Sequence, residues 1–115
     1  MEVWPKRVMD IWFTENQSTD MKLSLRIKDI LLNKTTDFQD ILVAETDQYG
    51  RIMVLDGAIQ ITETDEFCYH EMMAHIPICA HSAPRKILII GGGDGGVLRE
   101  CLKHPFVEEV ILVDI

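Results

Sequence analysis

Residues 85–100 read RKILIIGGGDGGVLRE, from Arg85 to Glu100, and this stretch decides the fold class. Ile87, Leu88, Ile89 and Ile90 form a short apolar run, which suits a strand buried on both faces of a parallel sheet. Glycine fills five of the next six positions, Gly91, Gly92, Gly93, Gly95 and Gly96, and Asp94 is the exception. Val97 to Leu102 reads as the opening of a helix. Val110 to Val113 supplies a second apolar strand, with Asp114 at its carboxyl end. Strand, glycine turn, helix and strand in that order are the first βαβ unit of a Rossmann-like nucleotide fold. Glycine serves there because the backbone must turn sharply and let a ligand approach with no Cβ in the way.

The glycine spacing by itself leaves two ligand classes open. Gly91, Gly93 and Gly96 match the dinucleotide pattern, while Gly91, Gly93 and Gly95 match the looser one of S-adenosylmethionine-binding folds. Asp94 tilts the balance. A pyrophosphate at a helix N-terminus is held by bare amides, and a carboxylate in the loop repels it. A sulfonium or an amine gains from the same carboxylate. The plainer alternative is that Asp94 only caps the helix. An acid about 20 residues beyond the glycines, here Asp114, is where such folds hold ribose hydroxyls.

Upstream the period changes. Met21, Leu23, Leu25 and Ile27 alternate with polar residues and predict a half-buried antiparallel strand, which continues less regularly through Ile30–Asn33. Further strands are predicted over 38–46, 51–55 and 58–62, the last two joined by Asp56-Gly57, the strongest short signal for a two-residue hairpin. Residues 21–62 thus read as an antiparallel meander. Before it, Trp12 and Phe13 could open a strand. Thr62-x-x-Asp65 signals a helix start, and Asp65 and Glu66 place negative charge in the first turn. Pro77 is expected to kink or end this helix. The architecture expected is α/β: an antiparallel domain over 1–62, then 63–115 with the linking helix and an incomplete catalytic fold.

Composition narrows the partners. The chain has 115 residues and a formal net charge of −8, which disfavours nucleic acid because a phosphate binder needs a basic face. No apolar run approaches a membrane span, and no segment reads as a secretory signal. Cys68, Cys79 and Cys101 lack CxxC spacing and read as reduced thiols of a cytoplasmic protein. Cys68, His70, His75, Cys79 and His81 include zinc-type ligands at unsuitable spacing, so no metal site is predicted. Tyr69 and His70 read from spacing alone as an interior tyrosine and a hydrogen-bonded core histidine. Gln39 reads as a polar strand residue, and Met72 and Met73 as core. Two parallel strands with one helix leave sheet edges and faces open, so the sequence reads as the N-terminal part of a longer protein, or one completed by a partner.

The segments FQDILV, YGRIMVLDGAIQITETDEFCYHEMMAHIPICAH, PRKILIIGGGDGGVLRECLKHP and ILVDI together closely resemble the N-terminal part of the polyamine aminopropyltransferases. Spermidine synthase is the commonest member of that family. The combination of LDG…Q, DEF-x-YHEM and GGGDGG is far more specific than any glycine loop. The resemblance implies transfer of an aminopropyl group from decarboxylated S-adenosylmethionine, a co-substrate, to putrescine, yielding spermidine and 5′-methylthioadenosine with no resident cofactor. It implies that Gln39 lines the nucleoside pocket and that Tyr69 and His70 lie at the polyamine end, Tyr69 as an orienting catalytic group. It implies that Asp94 binds the amine of the donor and Asp114 the ribose. The family's main catalytic aspartate lies downstream of Ile115, so the chain alone is expected to be inactive. Family members form dimers or tetramers through their N-terminal sheets. The other expectations weighed are a methyltransferase or NAD-binding oxidoreductase sharing the βαβ start, and a non-catalytic β-sheet oligomerisation module. The acceptor amine is left open.

Overall fold

The computed structural model describes residues 9–115. The chain divides into two compact units, Met1–Thr64 and Asp65–Ile115.

The first unit is antiparallel throughout its described part. Strand β1 (Ile11–Asn16) pairs with β2 (Lys22–Ile27) in a hairpin whose register sets Ile11 against Ile27. Trp12 therefore does lie in a strand, and the Arg26 guanidinium stacks over its ring at 5.1 Å. A second sheet has the order β3-β4-β5-β6, formed by Asp29–Thr35, Asp40–Thr46, Gly50–Leu55 and Ala58–Thr62.

The expected strand from Met21 onward thus breaks in two at Lys28, and only its second half joins the meander. The break coincides with a change of pattern. Alternation holds to Ile27, whereas Ile30, Leu31 and Leu32 are three apolar residues in succession. The register shifts between Ile30, opposite Ala44, and Leu32, opposite Val43, so Leu31 is the extra residue of a bulge. Strand β4 starts two residues later than expected. The Thr36 hydroxyl accepts the amides of Phe38 (3.2 Å) and Gln39 (3.0 Å) and donates to the Gln39 carbonyl (2.9 Å), which holds a turn in place of extended chain. Asp56 (φ 50°) and Gly57 (φ 79°) close the expected hairpin with both central residues left-handed. Ile27, Ala44, Ile52 and Val54 form the core, with Phe13, Leu25, Leu42, Tyr49 and Ile59 packed on it.

The second unit runs α1 (Glu66–Ala80), β7 (Lys86–Ile90), α2 (Gly96–Cys101) and β8 (Glu109–Val113). Strands β7 and β8 pair in parallel from Lys86–Glu109 to Ile90–Val113, as the βαβ reading requires. Ala74 and Ile78 from α1, Ile89 from β7 and Cys101 from α2 form the core, so both helices cover one face of the strand pair. Burial in this apolar core pushes the Cys101 thiol up.

Three expectations are corrected here. The Ile87–Ile90 strand is not buried on both faces: Leu88 and Ile90 are 61% and 83% exposed, because only one helical layer is present among the described residues. The α1 helix does not stop at Pro77. Proline removes a single amide donor within the last turns, and the helix continues to Ala80, where the His81 amide returns to the Pro77 carbonyl at 3.1 Å. Asp65 occupies the N-cap position without a capping bond from its side chain. Met72 and Met73, read as core, are instead 61% and 51% exposed.

Candidate functional site

The glycine turn between β7 and α2 is shaped mainly by its own hydrogen bonds. The Gly91 amide donates to the Val113 carbonyl (2.8 Å), Gly93 to the Asp114 carboxylate (2.5 Å), Gly95 to the Gly92 carbonyl (3.0 Å) and Gly96 to Asp94 Oδ1 (2.8 Å). Gly91, Gly92 and Gly95 take positive φ, between 74° and 81°. Gly93 and Gly96 are needed for closeness. A Cβ on Gly93 would meet Asp114 Oδ2, and one on Gly96 would run into the imidazole of His70.

Four amides of this loop are therefore occupied before any ligand arrives. That is a poor cradle for a pyrophosphate, which depends on free N–H groups. What the loop offers is a carboxylate. Asp94 uses Oδ1 for the Gly96 amide, which pins the turn, whereas α2 has Gly95 at its N-cap and no side-chain capping bond, so the plainer reading of Asp94 as the helix cap does not hold. Among the described residues, no hydrogen bond is drawn to its Oδ2.

His70 lies directly against this carboxylate. It is only 1% exposed, which the sequence reading of a hydrogen-bonded core histidine anticipated. Its Nδ1 bonds to the Glu66 carboxylate one helical turn earlier, and its Nε2 is 3.1 Å from Asp94 Oδ1. That distance is within reach of a bond, but Nε2 has no partner of hydrogen-bonding geometry among the described residues. Tyr69, expected to be interior, is 59% exposed and meets the His70 ring edge-on with centroids 5.5 Å apart.

Glu66 and Arg99 complete the cluster, and the sequence reading assigned neither a site role. The Arg99 guanidinium grips Glu66 with two bonds, Nη1 to Oε1 and Nη2 to Oε2, both 2.9 Å, while its Nε reaches Glu100 Oε1 at 2.9 Å. The Arg99 bonds, and then that from His70, hold the Glu66 carboxyl below the usual range. Glu66 first, and then Glu100, push the Arg99 guanidinium up. Glu100, fully buried by surface area, also meets Lys103 Nζ at 2.6 Å and His75 Nε2 at 3.1 Å, and its carboxyl is lowered to about 2, chiefly by Lys103. His75 in turn bonds through Nδ1 to His104 Nε2 at 2.8 Å. The spacing of Glu66 to His70, i to i+4 on a helix, was the one available signal for the first of these links.

Asp114 follows β8 and is exposed. Its Oδ2 takes the Gly93 amide and its Oδ1 the Ile115 amide (2.8 Å), which orients the carboxylate at the mouth of the glycine turn. Tyr69, His70, Asp94, Asp114 and the five glycines all belong to the second unit. Gln39 belongs to the first, half-buried in the Thr36 turn just before β4. A cleft of about 400 Å³ lined by residues such as Ile78, Pro84, Arg85 and Phe106 contains none of the predicted site residues. No three His, Cys, Asp or Glu side chains converge into a metal-holding group among the described residues.

The second unit thus presents a βαβ turn with a carboxylate in its glycine loop and an acid after the second strand. Comparison with known proteins makes this specific. Residues 11–63 match the family model described as spermidine synthase tetramerisation domain, and residues 66–115 match the spermine/spermidine synthase domain. The polyamine aminopropyltransferase of Thermoanaerobacter sp. is 50% identical over 107 residues, which are 93% of this chain and 39% of that protein. The polyamine aminopropyltransferase of Moorella thermoacetica is 50% identical over 105 residues, 91% of this chain and 37% of its own length. Crystal structures of a spermidine synthase with the transition-state analogue AdoDATO and of the Thermotoga maritima enzyme each superpose with a TM-score of 0.87 at 42% identity. They cover 97% of this chain, which in turn covers 38% and 39% of theirs. The chain belongs to the spermidine and spermine synthase family of aminopropyltransferases, and it spans about two fifths of the length of the curated relatives it matches.

Proposed function

We propose that this chain supplies the donor-binding part of an enzyme that moves an aminopropyl group from decarboxylated S-adenosylmethionine to putrescine. The observation that carries this reading is the carboxylate inside the glycine loop. Asp94 has one oxygen tied to the Gly96 amide and the other without a hydrogen bond among the described residues, in a loop whose amides are mostly occupied. Such a loop suits a cation. The donor has lost its carboxylate, so its propyl chain ends in an ammonium that pairs with Asp94. Asp114 accepts the ribose hydroxyls, Gln39 lines the nucleoside pocket, and Tyr69 and His70 stand at the aminopropyl and polyamine end.

The reaction in this reading is an in-line displacement. A neutral amine of putrescine attacks the propyl carbon next to the sulfonium; the C–N bond forms as the C–S bond breaks, and neutral 5′-methylthioadenosine leaves. The attacking nitrogen sheds its protons to water or to a carboxylate other than Asp94 and Asp114, which are engaged with the donor. Tyr69, with an exposed hydroxyl-bearing ring beside His70, orients the amine. Alignment of the two reactants supplies most of the rate.

The same proposal includes self-association in the cytoplasm as a homodimer or homotetramer through the first unit. Strand β3 is an edge strand exposed along its whole length, and Ile30, Leu31 and Leu32 are 43–47% exposed. The name of the matched family model supports this.

Two assays test the reading. Calorimetry with 5′-methylthioadenosine, S-adenosylhomocysteine and NAD should show binding of the first and little of the others. Stabilisation by NAD alone would overturn the reading of Asp94. Incubation of decarboxylated S-adenosylmethionine and putrescine with the product of the whole reading frame should yield spermidine by mass spectrometry. No spermidine at saturating donor would overturn the chemistry.

A further inference from the structure

We infer that Glu66 and Arg99 are positioning residues that keep the negative potential at the Asp94 carboxylate undiminished for a cation, by fixing which nitrogen of His70 carries its hydrogen. The identity of that cation as the donor's ammonium rests on the proposed function; the placement of the hydrogen does not.

A carboxylate only accepts hydrogen bonds, so the nitrogen facing Glu66, Nδ1, must be the donor. The neutral ring then has no hydrogen on Nε2. This is the nitrogen buried 3.1 Å from Asp94 Oδ1 without a hydrogen-bond partner. In the opposite tautomer an N–H would stand 3.1 Å from Asp94 Oδ1 without the geometry of a bond, and its positive end would offset part of the carboxylate's charge before a ligand arrives. With Nδ1–H, two acceptors lie side by side instead, and their shared negative potential favours a cation nearby.

Arg99 makes the selection firm. Its fork holds both Glu66 oxygens, and its own Nε is anchored on buried Glu100, so Glu66 cannot turn away from the ring. Gly96 lets the ring lie flush against the start of α2. The charged or titratable groups around His70 are thus Glu66 and Tyr69 from α1, Asp94 from the loop, and Arg99 of α2 behind Glu66.

The test is long-range proton–nitrogen NMR on the chain labelled with ¹⁵N-histidine, at a pH where the ring is neutral. His70 is assigned by its loss in His70→Gln. The wild type should carry the hydrogen on Nδ1. Glu66→Gln should retain it, because the amide oxygen still accepts, whereas Glu66→Ala should move it to Nε2. Arg99→Met should give a mixture, and it stands in should Glu66→Ala fail to fold. A hydrogen on Nε2 in the wild type, or one left on Nδ1 in Glu66→Ala, overturns the inference. In parallel, calorimetry compares decarboxylated S-adenosylmethionine with 5′-methylthioadenosine, which lacks the ammonium. Affinity for the first should fall about tenfold in Glu66→Ala, with Gln restoring most of it and the second unchanged. An equal loss for both ligands would mean a merely structural role. If neither nucleoside binds the wild type while the hydrogen lies on Nδ1 as expected, the functional proposal fails and the placement stands.

Discussion

Replacing Gly96 by alanine separates two opposed effects. Gly96 is the first residue of α2, its φ is not left-handed, and alanine is the better helix former by about 1 kcal/mol. Local propensity therefore predicts stabilisation. The structure predicts the reverse, because the new Cβ would overlap three atoms of the His70 ring. That ring cannot easily give way: it is buried, bonded to Glu66, and Glu66 is gripped by Arg99. Overpacking of this kind costs about 1–3 kcal/mol, and loss of a buried hydrogen bond about 1–3 more. After the propensity gain, the net loss should be about 1–5 kcal/mol. Urea denaturation followed by circular dichroism measures it. The decisive arm is the same change in a His70→Ala background, where the space is empty and Gly96→Ala should be neutral or slightly stabilising. Equal effects in the two backgrounds would refute the reasoning, since a clash with the ring must vanish with the ring.

Other expectations follow from single contacts. Glu100→Gln should destabilise the chain at neutral pH. A carboxyl lowered in the folded state stabilises fully above its unfolded value, near 4.5, and loses that contribution as pH falls toward about 2. The gap between Glu100→Gln and wild type should therefore close on acidification over that window, as urea midpoints at several pH values will report. Gly57→Ala should cost about 1 kcal/mol, since its φ is positive but its surroundings are open. Gly50→Ala should cost more in the same melts, because its Cβ would also stand 2.7 Å from the Glu63 oxygen that accepts the Arg51 amide. On the proposed function, Asp114→Asn should weaken 5′-methylthioadenosine by about tenfold or more in calorimetry, because one amide oxygen replaces the two acceptors that serve Gly93 and Ile115 and that the proposal assigns to the ribose.

Much of this architecture was legible because its signals are periodic or local. The Ile87–Ile90 and Val110–Val113 runs, the glycine turn and the Asp56-Gly57 hairpin each announce themselves within a few residues. The split at Lys28 was not announced. A strand that leaves one sheet for another keeps its extended conformation, and only the bulge at Leu31 betrays the change. Pro77 does not end the helix because proline's penalty is real but bounded, and Ala74 and Ile78 on either side are buried in the core. Asp94 stands out in the sequence because a charge among glycines is chemically odd, but its contact with His70 carries no local signal. Tyr69 was misjudged because its neighbour His70 took the inward position, and adjacent helical residues cannot share it. Arg99 lay hidden because its partner Glu66 is far off in sequence, and a guanidinium on a short helix carries no sign of whom it will meet.

The occupied amides of the glycine turn also set a timetable. With Gly91, Gly93, Gly95 and Gly96 each bonded within the chain, the turn has its final shape from the moment the strands pair. On the proposed function, a ligand would meet a turn already held by its own bonds, and binding would cost little ordering of that loop. In hydrogen–deuterium exchange those four amides should lag well behind the exposed residues around them, with or without nucleoside, like a small stone set in soft ground.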